Sequence, residues 1–186
     1  MERIKRSRKM LAFLLVVGFL MVPGGALAEE PAVAFVEMTF GDITMLVPDV
    51  FGPVEETEGV YVSAGPAAGI TVTTAMEIDL LPSEWDESLA ADALEPLYGT
   101  VYTDMELSAF SGEFDLNGSI GVYMAFYGIN QEGVDRLVQV VRLFNEDLTA
   151  QYQISFVHGA EDAFFTPEIA DQIINSITLR VPVIGE

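Results

Sequence analysis

The feature that most constrains this chain is a period of two in its hydrophobic pattern between Val101 and His158. Runs of alternating apolar and polar residues are separated there by polar turns, including those at 131–133 and 146–148. The dipeptide Asn117-Gly118 is a strong signal for a two-residue hairpin turn, because both residues tolerate a positive φ angle. In the last of these runs Tyr152, Ile154 and Phe156 share one face, so we expect that face to meet a core and the face with Gln153 and Ser155 to meet water. The stretch therefore predicts an antiparallel meander of four strands.

Four shorter runs upstream of this meander also have β character. The runs "AVAFVEMTF" and "DITMLVP" flank a turn at Gly41-Asp42, and "VYVSAG" and "GITVTTAMEI" follow a predicted polar turn, "VEETEG". In the last run Ile70, Val72 and Met76 alternate with more polar residues. Threonine and valine suit a pleated, half-buried surface, so these runs predict further strands.

Two stretches change to a helical period. In "PSEWDESLAADALEPLYG" apolar residues recur every four positions, which predicts a helix from Glu84 to Glu95. Ser83 is its predicted N-cap, with Asp86 three residues later. A second helix is predicted to follow a Thr166 cap, with Pro167 at the first position, where a missing N–H costs little. Its apolar stripe consists of Ile169, Ile173 and Ile177.

The order of elements is strands, a helix, a long antiparallel run and a second helix. This order predicts an α+β fold in which one curved antiparallel β-sheet packs against two α-helices. The predicted domain spans residues 35–180, with a tether at 29–34 before it and a tail at 181–186 after it. No internal repeat or low-complexity segment divides this stretch.

The first 28 residues have the three parts of a secretory signal peptide. A basic head is followed by a 12-residue apolar run from Leu11 to Val22, then by Pro23 and a small-x-small sequence that ends at Ala28. The apolar run is shorter than the roughly 20 residues that span a bilayer, which argues against the alternative of a retained membrane anchor. We therefore predict cleavage after Ala28 and a secreted or cell-envelope location, extracellular or periplasmic.

Cleavage would make the chain far more acidic. Residues 1–28 contain five of the eight basic residues and one of the 29 acids, which leaves three arginines and 28 acids, a formal charge of −25. Such a field repels the phosphates of nucleic acids and anionic membranes. The predicted partners are therefore a basic protein or peptide, or divalent cations, with no nucleic acid and no membrane after cleavage. A role of the charge in solubility alone is the alternative.

The final stretch "AQYQISFVHGAEDAFFTPEIADQIINSITL" passes from a strand through a small-residue loop to a helix, and "ITMLVPDVFG" is a strand that ends in proline. Together they resemble the PsbP-like fold of the extrinsic photosystem II protein and its exported bacterial relatives of the DcrB type. The resemblance covers Phe35 to Leu179. The tryptophan expected after the early proline is missing, and Phe51 stands in its region. The resemblance implies an accessory or binding role and supplies no catalytic residue.

His158 is the only histidine, with Glu161 and Asp162 three and four residues later. A histidine is a common general base or metal ligand. A usual zinc site needs several nitrogen or sulfur ligands, however, and this chain has one histidine and no cysteine. No serine lies in the Gly-x-Ser-x-Gly sequence of a nucleophile elbow. We therefore interpret His158 as a structural or exposed residue at the end of a strand, and we predict no cofactor.

The acidic residues form several local clusters, none of which has the spacing of a calcium-binding EF-hand loop. The clusters are Glu55-Glu56-Glu58, Glu84-Asp86-Glu87, Glu146-Asp147 and Glu161-Asp162. We interpret them as a solvated surface. A calcium site and a pair of catalytic carboxylates both remain alternatives.

Arg136 and Arg142 share one face of a predicted strand, either as anion-binding groups or, by our interpretation, as partners of carboxylates. Asn117 also begins a glycosylation sequon, but the hairpin turn explains it. We interpret a set of aromatic residues as part of the core, because its members on one predicted strand occupy both faces; a groove that they partly line is the alternative. The set is Tyr98, Tyr102, Phe110, Tyr123, Phe126 and Tyr127.

These observations predict an exported, acidic accessory or binding protein without catalytic activity, whose ligand the sequence does not name. The alternatives are a carboxylate-dependent hydrolase and a divalent-cation binding protein. The sequence identifies no catalytic and no cofactor-binding residue, and leaves a metal site open.

Overall fold

The computed structural model describes residues 33–66, 68–159 and 166–180. Within these ranges the chain forms ten β-strands, two α-helices and a 3₁₀ turn at Pro82–Glu84. The strands are β1 (Phe35–Phe40), β2 (Ile43–Pro48), β3 (Glu55–Thr57), β4 (Val60–Ala64), β5 (Ala68–Met76), β6 (Tyr102–Leu116), β7 (Ser119–Asn130), β8 (Asp135–Phe144), β9 (Gln151–Gly159) and β10 (Thr178–Leu179), and the helices are α1 (Glu87–Tyr98) and α2 (Pro167–Ser176). The predicted signal peptide, most of the tether and the tail lie outside the described residues.

Seven strands form an antiparallel sheet in the order β3-β4-β5-β9-β8-β7-β6. Strands β6 to β9 are consecutive neighbours, so the predicted meander is confirmed. The hairpin turn between β6 and β7 is Asn117-Gly118, with φ angles of 52° and 84°. Strand β5 extends the meander by pairing with β9, although some 80 residues separate the two along the chain. The α+β architecture predicted from the order of elements is confirmed.

A second sheet, of three strands, was not expected from the sequence. Its order is β1-β2-β10, and its last strand pairs Thr178 with Thr44 and Leu179 with Ile43. The prediction of a wholly polar turn at "VEETEG" was wrong, since its residues Glu55–Thr57 pair with β4 as the edge strand β3. The positive φ angles that make the turn are confined to the two residues that follow β3.

The seven-stranded sheet has a hydrophobic core on each face. On one face Val138 and Val140 of β8 are buried with Trp85 and with Leu94 of α1. On the other face, Val141 is buried with residues of the three-stranded sheet and of α2. Neighbouring residues of β8 alternate between the two cores, as the period of two requires. The two helices therefore cover opposite faces of the sheet. The prediction that one face of β9 meets water was wrong, because Gln153 and Ser155 on that face are half-buried under the α1-side core.

Helix α1 begins later than the sequence predicts. Its N-cap is Asp86, whose side chain accepts a hydrogen bond from the backbone N–H of Leu89 at 2.8 Å. Trp85 is buried in an extended backbone conformation, which prevents the helix from running back to Ser83. The predicted end at Glu95 was also wrong, because the helix continues through Pro96 to Tyr98.

Helix α2 begins as predicted. The Thr166 side chain accepts from the N–H of Ile169, and proline occupies the first turn. Ile169, Ile173 and Ile177 are buried, which confirms the apolar stripe. Asn117 holds the end of this helix, since its side-chain amide donates to the carbonyl oxygens of Asn175 at 3.0 Å and Ile177 at 2.7 Å. Neither helix in the described part of the chain is long and apolar enough to cross a membrane.

Candidate functional site

His158 lies inside the protein near the end of β9. Its side chain is 5% exposed, and its strand neighbours are Ala68 on β5 and Leu137 on β8. The ring atom Nδ1 lies 2.9 Å from the carbonyl oxygen of Gly159. Burial between two strands fits the structural interpretation of this residue. The neighbouring acids Glu161 and Asp162 lie outside the described residues.

Arg142 is buried on the α1 face of the sheet and has several partners. Its guanidinium Nη1 donates to Asp79 Oδ1 at 3.0 Å, and its Cζ lies 4.5 Å from the ring centroid of Trp85. The side-chain amide of Gln151 donates to Asp79 Oδ1 at 2.9 Å and also to the carbonyl oxygen of Glu77. The predicted pairing with a carboxylate is therefore confirmed for Arg142. In the described residues no acidic group forms a corresponding ion pair with Arg136.

The titration of two groups near Arg142 reflects this packing. Burial would raise the pKa of Asp79, but the hydrogen bond from Gln151 and the charge of Arg142 together lower it below 3.8. Burial raises the pKa of Tyr98 to about 12, against the opposing effect of the Arg142 charge. Both groups thus keep fixed protonation states near neutral pH, as structural groups do.

The acidic clusters lie on the surface wherever they are described. Each acidic residue of the described ranges is exposed, with the single exception of the half-buried Asp42. Asp86 is occupied as the cap of α1, and Glu84 accepts from the N–H of Leu81 at 2.7 Å. Within these ranges no three of the acidic and histidine side chains converge in a way that would hold a metal ion. The solvated-surface interpretation agrees with this placement.

The aromatic set divides between the two faces of the sheet. Tyr98 and Tyr102 pack against Phe126 in the α1-side core, with centroid distances of 4.9 and 5.8 Å. Tyr123 and Tyr127 lie on the opposite face, and Tyr127 is 45% exposed. The core interpretation therefore holds for the first group, whereas the second group lies in a partly open region.

An open cleft of about 250 Å³ lies beside Tyr123, between β6, β7 and α2. We call it the Tyr123 cleft. Its lining residues are Ser111, Phe114, Tyr123, Asp171 and Ile174. A Cβ atom at Gly121 would lie 2.6 Å from the Phe114 ring, so the absence of a side chain there lets this ring lie close against β7.

The hydroxyl group of Tyr123 is held in place by a buried neighbour. The side-chain amide of Gln139, which is 8% exposed, donates to the Tyr123 hydroxyl oxygen at 3.1 Å. Burial raises the pKa of the Tyr123 phenol; the bond from Gln139 opposes this increase, and the negative charge of Asp171 adds to it. The cleft therefore combines two aromatic walls, one aliphatic wall and an exposed carboxylate, an arrangement suited to a cation on an apolar stem.

Sequence reasoning included Tyr123 but not the residues around it. Asp171 and Ile174 follow one another at a spacing of three on α2, at the edge of its apolar stripe, and that spacing is the only signal in the sequence that places them together. Ser111 and Phe114 meet them through the pairing of β6 with β7, where the register shifts between these two residues. Such a shift changes which side chains share a face, and the sequence does not reveal it.

Comparisons with known proteins identify the fold. No family model matches the chain, and no curated protein sequence does. The solved structure of cyanobacterial PsbP from Synechocystis sp. is similar, with a TM-score of 0.56 and 13% identity over 84% of this chain and 98% of that one. The Ran-binding protein Mog1p of Saccharomyces cerevisiae is also similar, with a TM-score of 0.54 and 15% identity over 80% of this chain and 96% of that one. The PsbP-like fold that the sequence resemblance predicts is confirmed.

Proposed function

We propose that this chain is an exported binding protein without catalytic activity, that its partner is a basic protein or peptide, and that the Tyr123 cleft receives a cationic side chain of that partner. The observation that carries the proposal is the combination of Phe114, Tyr123 and the exposed Asp171 carboxylate in one cleft. Lysine and arginine have a long apolar stem and a charged head. The rings and Ile174 would cover the stem, while Asp171 pairs with the head.

The charge of the surface supports a basic partner. Exposed carboxylates cover the described part of the molecule, and its three basic residues are all arginines. A single-sign field of this kind attracts an oppositely charged partner and raises the rate of encounter. The cleft then supplies the local contact that distinguishes a bound side chain from a diffuse counterion.

The fold is compatible with this role. Mog1p, which has the same fold, is described as a Ran-binding protein, so the fold can support protein binding. Function does not follow from fold, and the proposal therefore rests on the cleft.

The contacts of the unusual titratable groups support a non-catalytic role. Asp79, whose pKa is lowered, is engaged by Arg142 and Gln151. Tyr98, whose pKa is raised to about 12, is the last residue of α1 and packs against Phe126 in the core. These groups stabilise the fold, and their environment accounts for their titration without a substrate.

Calorimetric titration with a short lysine-rich peptide tests the proposal. The matched probe is the same peptide with each lysine replaced by glutamine. We expect the purified protein to bind the lysine peptide and not the glutamine peptide. Asp171→Asn should weaken binding roughly threefold to tenfold, the range for a cation held by a carboxylate and an aromatic face.

The control variant is Asp92→Asn, which changes an exposed acid on α1 and has the same effect on net charge. We expect its affinity for the lysine peptide to stay within about twofold of that of the original protein, since an exposed charge far from the cleft contributes little. An equal loss of peptide affinity in the two variants would show that binding depends only on the total charge of the protein. That result would reject the cleft as the binding site.

Export is tested separately. Mass spectrometry of the protein recovered outside the cytoplasm should give a chain that begins at Glu29, because the small-x-small sequence ends at Ala28. Recovery of an intact N-terminus from Met1 would contradict cleavage.

A further inference from the structure

We propose that the chain has a second binding site, which takes the carboxylate of a small acid with an apolar body. The site is an open cleft of about 410 Å³ at the end of the α1-side face of the sheet. We call it the Arg136 cleft. The lining residues used below are Gly69, Val101, Tyr102, Asn130, Arg136 and Val157.

Arg136 differs from the other arginine of its strand. Arg142, six residues later on the same face of β8, is buried and paired with Asp79. Arg136 is half-buried and has no such carboxylate partner within the described part of the chain, although acids outnumber arginines there many times over. Of the acids in the ranges that the structure describes, none lines the Arg136 cleft. A half-buried guanidinium facing an open cleft is a group that recognises carboxylates.

Two further donors lie beside this guanidinium. The side-chain oxygen of Asn130 accepts from the backbone N–H groups of Glu132 at 3.1 Å and Val134 at 2.9 Å, so its amide nitrogen is left as a donor. Tyr102 lines the same cleft as Arg136. Burial raises the pKa of Tyr102, and the Arg136 charge acts in the opposite direction. The phenol is protonated at neutral pH and can donate. Among the described residues, the lining side chains of the cleft therefore offer three donors and no carboxylate.

The remaining walls explain why the acid should have an apolar body. Val101 is 48% exposed, and Val157 lines the same cleft. A Cβ atom built on Gly69 would have no neighbour within 4 Å, so the floor of the cleft is open at that point. A small inorganic anion would have only its contacts with these donors to offset the repulsion of the acidic surface, since it buries no apolar area. Burial of an apolar group adds a favourable contribution to the free energy of binding.

The experiment uses three probes with one body and different head groups, namely phenylbutyrate, phenylbutanol and phenylbutylamine. Each is titrated into the ¹⁵N-labelled protein while amide shifts are followed. We expect phenylbutyrate to shift Gly69 and Asn130 in a saturable way, and to bind at least about tenfold more tightly than the alcohol, as a charge-assisted hydrogen bond would give. Equal affinity of the two would overturn the proposal.

Two variants assign the effect to the cleft. Arg136→Gln should reduce phenylbutyrate affinity about tenfold or more, whereas Arg180→Gln, which removes an exposed arginine and changes net charge equally, should leave it unchanged. Gly69→Val fills the open floor with a residue that suits a strand, so it should block the probe while Arg136 is kept. If Arg136→Gln does not fold, Gly69→Val still tests the site, with Arg180→Gln as its control. Phenylbutyrate binding that is unchanged in Gly69→Val would reject the cleft.

The outcome is independent of the proposed function. Asp171→Asn should leave phenylbutyrate binding intact, and Arg136→Gln should leave lysine-peptide binding intact, because the two clefts lie on opposite faces of the sheet. Retention of phenylbutyrate binding by both Arg136→Gln and Gly69→Val would reject this site without affecting the Tyr123 cleft.

Discussion

At the scale of single residues, Arg142 shows how a charge is accommodated in the core. Its side chain is 3% exposed, yet Asp79 neutralises the charge and Trp85 covers the planar face of the guanidinium. The sequence predicts that the arginine needs a carboxylate but not which one. Asp79 lies 63 positions away, and the connection between β5 and α1 brings it to β8. Contacts across such distances depend on the finished topology, which local pattern does not determine.

Replacing Asp79 by asparagine should therefore destabilise the protein. The change leaves the buried Arg142 charge without its counter-charge, which costs about 1–3 kcal/mol. Because the pKa of Asp79 is lowered on folding, its contribution is present above the unfolded value near 3.8 and is lost as pH falls through the lower folded value. Urea unfolding at pH 7 should show a lower free energy of unfolding for Asp79→Asn than for the original protein. This difference should shrink below about pH 4.

The control for Asp79→Asn is Asp92→Asn, which changes an exposed acid of α1. We expect its stability to stay within about 0.5 kcal/mol of the original. The fluorescence of Trp85, the only tryptophan, reports unfolding in each case. A deficit that is the same at pH 7 and pH 3 would contradict a role for the ionised carboxylate.

At the scale of elements, the start of α1 shows where sequence reasoning fails. Ser83 followed by Asp86 has the spacing of a cap and its N3 partner, so the pattern predicts a helix that begins too early. The burial of Trp85 prevents this early start, because the extended backbone at this residue places the indole in the core. Replacing Asp86 by alanine should lower stability by about 1 kcal/mol, whereas Ser83→Ala should be nearly neutral. Thermal unfolding followed by circular dichroism measures both losses. A larger loss of stability in Ser83→Ala than in Asp86→Ala would mean that Ser83 caps the helix after all.

The other elements differ in how far the sequence predicts them. The meander follows from the period of two and from Asn117-Gly118, both of which are local signals. The β5–β9 pairing and the strand β10 are long-range, and the two residues of β10 are too few to show a pattern. The Tyr123 cleft depends on both a register shift in β6 and the position of α2. The sequence thus identified Tyr123 as a member of an aromatic set interpreted as core, and it predicted neither this cleft nor its carboxylate.

At the scale of the whole molecule, one sheet supports two cores. Each strand of the meander contributes alternate residues to the α1 side and to the α2 side, so the backbone hydrogen bonds of the sheet are common to both. The two proposed clefts lie on these two faces and have opposite chemistry, an acid beside aromatic rings on one and an arginine on the other. A shared sheet predicts that loss of packing on one face destabilises the other.

Replacing Ile173 by alanine tests this coupling. Ile173 is fully buried in the α2-side core, whereas Trp85 lies in the core on the opposite face. We expect a loss of about 2–5 kcal/mol, because the change removes buried methyl groups and leaves a cavity. Trp85 fluorescence and far-ultraviolet circular dichroism should move together to a lower urea midpoint, as in a single cooperative transition. Gln172→Ala, at an exposed position of the same helix, should leave both midpoints in place. An unchanged fluorescence midpoint in Ile173→Ala would mean that the two cores unfold separately despite their common sheet.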